Sequence, residues 1–210
     1  MPDPLGFLLE MLSSRPNPHA PAPALPVLAV ALAAHRHGVD LPAWDESACD
    51  ELEEDTARDA LTTLRTQLSD ALLGEDASAG RELLNQALDD WQARVSVEEE
   101  LADHELPGVE VTASALPHVP LPPWYERDPT LPRDTAGRCP TLGPFLLAVV
   151  GVLLTEATNI HLSGYADRVR PCEAPDCRTP FLDAGDGRRR RFCSPRCRAR
   201  QSARARARVR

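Results

Sequence analysis

Lysine is absent from this 210-residue chain: all 23 basic side chains are arginine. Abundant Ala, Leu and Pro accompany that absence, and together they suggest a GC-rich bacterial coding sequence. This is an inference about codon usage and not about fold. No glycine-rich phosphate loop, nucleophile elbow or HExxH motif occurs, and the six histidines are scattered. The carboxylates fall in runs, as solvated surfaces do. The chain is therefore expected not to be an enzyme. No apolar run approaches the roughly 20 residues that span a bilayer. The longest, Phe145 to Leu154, sits between Pro144 and Glu156 and reads as a buried core helix. The N-terminus begins acidic and proline-rich, without the basic-then-apolar order of a secretory signal. Six cysteines are too few and too clustered for a disulfide scaffold. A reducing cytoplasmic location and no membrane partner are the expectation.

What is present is a charge split. Residues 1–167 hold 9 Arg and 28 Asp plus Glu, a net −19, while residues 168–210 hold 14 Arg and 4 Asp plus Glu, a net +10. The overall −9 hides two bodies of opposite sign. An acidic body with a strongly basic end points to a nucleic-acid contact confined to that end.

Along the chain, prolines at 2, 4, 16, 18, 21 and 23 predict a proline-rich flexible arm over 1–24, with a short helix over Leu5 to Leu12 inside it. Leu25 to His37 predicts a helix closed by Gly38. His35 and His37 at its end read as solvated or as partners of the helix dipole. From Asp45 to Leu73 the residues Ala57, Leu61, Leu64, Leu68 and Leu72 recur at helical steps and share one face. The acidic run Asp50 to Asp55 suits the start of that helix. Residues 79–92 predict another helix with Leu83, Leu84, Leu88 and Trp91 turned inward. Alternation around Val95 and Val97, then around Val109 and Val111, predicts an antiparallel hairpin over about 94–114 with a polar turn at Asp103 to Pro107. Prolines crowd 117–144 and predict an irregular wrap anchored by Trp124 and Tyr125. A helix from Phe145 to about Ile160 follows. The whole of 25–164 is expected to be one acidic, mostly helical domain. Cys49 and Cys139 read as spare thiols.

Cys172 and Cys177 form a C-x4-C pair, and after fifteen residues Cys193 and Cys197 form C-x3-C. Two close pairs joined by a short loop are what a tetrahedral Zn²⁺ site needs. About 40 residues with so little apolar content cannot bury enough surface to fold alone. Metal binding would supply the difference, on the order of 10 kcal/mol or more. One structural Zn²⁺ held by Cys172, Cys177, Cys193 and Cys197 is the expectation, against a rival reading as redox cysteines or disulfides. Four thiolates leave no open position for water, so such a site is not catalytic. Their excess negative charge could be offset by Arg178, Arg196 and Arg198, each beside a ligand. Phe181 and Phe192 would form the small apolar side.

Ser194–Pro195 predicts a helix start, a serine cap followed by proline at the first helical position. The helix would run through Cys197 to about Val209, with residues 201–210 as a basic tail continuing it. Arg198 and Arg206 would sit on other faces of it, and Arg196, Arg200, Arg204 and Arg208 would line one face. With Arg188, Arg189, Arg190 and Arg191 they are the expected nucleic-acid contacts. Five or six phosphate contacts would give a log–log salt slope of roughly −5. A basic tail can equally serve as a solubilising end or pair with an acidic surface.

The stretch Cys172–Glu173–Ala174–Pro175–Asp176–Cys177, then Phe181–Leu182–Asp183, then Arg189 to Ser194, resembles the CGNR zinc finger. That finger ends the bacterial ABATE-domain proteins, described as stress-induced transcription regulators. Upstream, Leu64–Arg65, Leu68, Ala71–Leu72–Leu73, Leu84–Asn85 and Leu88 are similar to that family's helical half. The resemblance is motif-level over about 165–200 and pattern-level over 55–160. The family's Cys-Gly-Asn-Arg stands here as Cys197–Arg198–Ala199–Arg200, the last pair is one residue closer, and Phe192 stands where Trp is typical.

The fold class expected is mostly α with a small β-hairpin, a four-cysteine finger at 165–200 and an arginine-rich helix after it. The function expected is a zinc-finger nucleic-acid-binding protein acting as a bacterial transcriptional regulator, with DNA favoured over RNA. Its acidic body would sense a small molecule or bind a protein effector. The alternative is a protein-interaction module in which the finger is structural and the arginines meet an acidic protein surface.

Overall fold

The computed structural model describes residues 2–13, 26–43, 51–74, 76–98, 108–113, 142–175, 177, 179–183 and 190–207. Six α-helices, a one-turn 3₁₀ helix at Ala166–Arg168 and two short antiparallel hairpins make up this part: α1 (Pro4–Ser13), α2 (Val27–Arg36), α3 (Glu51–Leu73), α4 (Ala77–Asp90), β1 (Ala93–Glu98), β2 (Gly108–Ala113), α5 (Leu142–Leu162), β3 (Val169–Pro171), β4 (Pro180–Leu182) and α6 (Pro195–Ala207). The class is mostly α with small antiparallel sheets.

Helix α3 buries the face that its periodicity predicts: Ala57, Leu61, Leu64, Leu68 and Leu72 are all in the core. Helix α2 ends as predicted, with Gly38 at φ +64° and the Val39 amide donating to the Ala34 carbonyl at 2.9 Å, the left-handed closure that glycine permits. Helix α4 is capped by Asp76, whose carboxylate accepts from the Ser78 amide at 2.8 Å. It lies tight against the end of α3, because a Cβ at Gly80 would stand 2.3 Å from the Ala71 carbonyl oxygen. Trp91 is buried and its Nε1 donates to Gln67 Oε1 of α3 at 3.0 Å.

Helix α5 is the spine. Phe145, Leu146, Val149, Val150, Leu153, Leu154 and Ala157 are buried, and α1, α3, α4 and β2 all pack on it. By length and composition α5 could cross a membrane; here it is covered by those elements. Gly151 lets β2 approach closely, since a Cβ there would lie 3.0 Å from the Val111 carbonyl oxygen. The Val111 amide donates to Thr155 Oγ1 at 2.9 Å. The hairpin pairs Arg94 with Thr112 and Val97 with Val109, and it is thereby fixed to α5.

Four expectations need correction. The arm expected over 1–24 is, in its described part, core: Phe7, Leu8, Met11 and Leu12 are buried and join the main cluster. Proline does not prevent this. Pro4 occupies the first helical position, where no amide is needed, and Asp3 Oδ1 accepts from the Gly6 amide at 2.8 Å as a cap. The wrap expected over 117–144 ends earlier, because α5 already includes Leu142 to Pro144. A proline in the first turn costs no helical hydrogen bond. Leu83 is 43% exposed, since the buried stripe of α4 runs through Gly80, Leu84, Ala87 and Trp91 and leaves Leu83 beside it; Leu88 is half-buried. His37 is not simply solvated. Its Nε2 lies 2.8 Å from Glu10 Oε2 and its Nδ1 3.3 Å from Asp3 Oδ2, so it clasps α2 to α1, while His35 is exposed. The turn at 103–107, Trp124, Tyr125, Cys49 and Cys139 lie outside the described residues.

Candidate metal centre and basic helix

Strands β3 and β4 form a three-rung hairpin, with Val169 opposite Leu182, Arg170 opposite Phe181 and Pro171 opposite Pro180. One end of this hairpin belongs to the body. Val169 is part of the main core and Leu182 packs against it, with α1 touching β4 and α3 touching β3. The other end opens into the first cysteine pair. The Cys172 amide donates to the Thr179 carbonyl at 3.0 Å and the Cys177 amide to the Ala174 carbonyl at 2.9 Å, which turns both sulfurs the same way. The Glu173 amide donates to the Arg191 carbonyl at 2.9 Å and draws in the second pair. Ser194 then caps α6, its Oγ accepting from the Cys197 amide at 3.3 Å with Pro195 first in the helix. Four residues of helix place Cys193 and Cys197 one turn apart.

The result is one cluster. All four Sγ atoms lie within 4.8 Å of one another, with Cys177 to Cys193 at 3.6 Å and Cys193 to Cys197 at 3.8 Å. A tetrahedral site with Zn–S bonds of about 2.3 Å has sulfurs about 3.8 Å apart, so the donor set fits one Zn²⁺. Cys172 and Cys197 are buried and Cys177 and Cys193 half-buried, which suits a structural site closed to water. As free thiols, Cys193 and Cys197 shift in opposite directions. Burial and then the neighbouring sulfurs push Cys193 up to about 12, whereas the Ser194 hydroxyl and the Arg200 guanidinium draw Cys197 down to about 6. Metal binding requires thiolates, so retention weakens as pH falls.

A second cluster of buried residues, Cys172, Ala174, Phe181 and Cys197 with Phe192 against it, is the finger's own small core. Both aromatics are roofed by arginine: the Arg190 guanidinium carbon is 5.6 Å from the Phe181 ring centre, and that of Arg191 is 5.8 Å from Phe192.

The arginines divide. Arg191 pairs with Glu173, Nε to Oε2 at 2.6 Å, and Arg190 donates from Nη2 to the Cys193 carbonyl at 3.3 Å. Arg200 Nη2 donates to Cys197 Sγ at 3.1 Å. The charge-balancing role expected of Arg178, Arg196 and Arg198 thus falls in the described part to Arg200, exposed like Arg196 and Arg198 but bonded to the sulfur; Arg178 lies outside the described residues. Arg204 is exposed on α6, and Arg188, Arg189 and Arg208 lie outside the described residues. Two residues escaped the sequence reading. Asp183 is buried and accepts from the Arg190 amide at 2.7 Å, and its own amide donates to the Arg168 carbonyl at 2.9 Å. Glu173 anchors Arg191. The only signal for either was position, a carboxylate immediately after a ligand or after the strand Phe181–Leu182.

Arg200 makes a testable contribution. Arg200→Ala removes an N–H donor and a positive charge from a thiolate ligand. Such outer contacts typically carry about 10–100-fold in metal affinity, so the variant should lose Zn²⁺ to a chelator at a correspondingly lower concentration. Arg200→Lys should recover only part of the loss.

The geometry defines a structural metal-binding module: two cysteine pairs, a closed donor set and a small core organised around the sulfurs. Residues 168–209 match the family model of the CGNR zinc finger, and the chain carries that zinc finger at its basic end. The match covers the finger and α6 and leaves the body outside it. No curated protein matches the chain.

Proposed function

We propose that the protein binds DNA through the zinc finger and α6 and regulates transcription, with the acidic helical body as an ABATE-like sensing or partner-binding domain. The observation that carries this reading is α6 itself. Its described part bears Arg196, Arg198, Arg200, Arg204 and Arg206, it is rooted in the metal site through Cys197, and it makes no extensive contact with the other described helices and strands. A rigid base that presents guanidinium groups to solvent suits a polyanion. DNA is favoured over single-stranded RNA because the finger's two aromatics are covered by arginines, which leaves few faces for stacking bases. The closed sulfur set makes the metal structural, so no catalytic role is assigned. Free thiols in this site suit a reducing cytoplasm. Sequencing of DNA recovered by crosslinked pulldown tests the proposal. Enrichment of discrete sites that disappears in Cys193→Ser is the expected result, and equal recovery by that variant counts against it.

The second reading is a protein-interaction module. The internal partners of Arg190, Arg191 and Arg200 favour it, since those guanidinium groups build the finger itself. A gel shift at physiological salt with excess nonspecific competitor separates the two: no retained complex favours the interaction module.

A further inference from the structure

We infer that the phosphate-facing surface of α6 is the stripe Arg198–Ser202–Arg206 with Arg196 beside it, and not the every-fourth row through Arg200 and Arg204; this rests on the DNA-binding reading above. The burial of α6 fixes which side faces the finger. Between Pro195 and Arg206, among the described side chains, only Cys197 is buried and only Gln201 half-buried. They are four residues apart and so lie on one side of the helix. Residues three, four and seven beyond Cys197 share that side, so Arg200 and Arg204 are rooted on it, although both side chains are exposed. Arg200 confirms this placement by its bond to the Cys197 sulfur.

Ser202 and Arg206 lie on the opposite side and Arg198 on the flank that leads to it, all three exposed and spaced by four. Arg206 Nε donates to the Ser202 carbonyl at 3.3 Å, a bond along the same stripe made without its terminal nitrogens. Arg196 is exposed at the helix start, between the two sides. Arg200 offsets sulfur charge, and Arg198 and Arg206 have the reach for phosphate oxygens. Arg190 and Arg191 are likewise committed, over Phe181 and Phe192 and to Glu173. The partner that fits the outward stripe is duplex DNA met along its backbone. Arg198 and Arg206, about 12 Å apart along the helix, suit phosphates that are not adjacent, and backbone contacts of this kind fix register without reading sequence.

The test is fluorescence anisotropy of the zinc-loaded full chain with a short mixed-sequence DNA duplex, over a salt series. Each lost phosphate contact flattens the log–log slope by about 0.9. Arg198→Ala with Arg206→Ala should flatten the slope by about 1.8 with zinc content unchanged. Arg191→Met should keep the wild-type slope; Arg190→Met provides the same comparison should Arg191→Met lose metal. An unchanged slope in the double alanine variant, with DNA still bound, overturns the stripe while leaving the DNA-binding reading standing. Failure of the wild-type chain to bind duplex even at about 50 mM salt removes both. Tighter binding of a single-stranded RNA of equal length overturns the duplex as partner.

Discussion

Stripping the metal should destabilise the whole chain, and not only its last forty-odd residues. A finger is usually pictured as a module on a tether, but here its hairpin is shared. Val169 is 5% exposed inside the body's core, and three residues later Cys172 is a ligand. Leu182 packs on the same core, and the next residue, Asp183, holds the Arg190 amide close to the second pair. Structural Zn²⁺ contributes on the order of 10 kcal/mol to folding of such a segment. Without it the cysteine loops have almost no apolar cover, and β3 and β4 lose the turn that closes them. Releasing Val169 and Leu182 from the core forfeits about 3 kcal/mol of burial. For a chain of this size that lowers the melting midpoint by roughly 6–12 °C. The helical far-UV signal reports it, because most of that signal comes from the body. A strong chelator should shift the whole melt, and Cys197→Ser should do the same in excess zinc. A body midpoint that stays in place while a separate small transition vanishes would show that the two cores are independent.

The second large effect is expected at the N-terminus. Phe7 is fully buried, and Phe→Ala at such a site costs about 3–5 kcal/mol. Phe7→Ala should therefore lower the midpoint by roughly 6–20 °C. If α1 were a loose arm, the same change would have almost no effect. Leu28→Ala, on the 48% exposed face of α2, serves as the control and should stay within about 0.5 kcal/mol of wild type. Because α1 also touches β4, Phe7→Ala should speed zinc release to a chelator. The polar contacts of α1 act in the same place: Glu10 pairs with Arg36 and His37, and the Arg36 guanidinium, with His37, holds its carboxyl below the usual value despite opposing burial.

Much of the architecture is legible in residue order because it is local. The face of α3 is written in a five-member apolar stripe, the end of α2 in Gly38, and the start of α6 in Ser194–Pro195. The ligand set is the plainest case, since two sulfurs per short loop leave one way to close around a metal. What escaped was non-local. Proline density at the N-terminus suggested an arm, because nothing in residues 1–24 states that α5 needs cover from Phe7 and Leu8. His37 gave no sign of its partners Asp3 and Glu10, which lie more than 25 residues away.

Composition and spacing alone determined that the basic end is a metal-organised arginine carrier attached to an acidic helical body. Thiolate chemistry and helical periodicity act within a few residues and need no knowledge of the rest. Only the tertiary structure decided that the finger's hairpin is built into the body's core, and which arginines are spoken for. Those outcomes depend on which surfaces meet: a guanidinium becomes a ligand's partner or a free contact according to the side of α6 on which the Cys197 sulfur pulls.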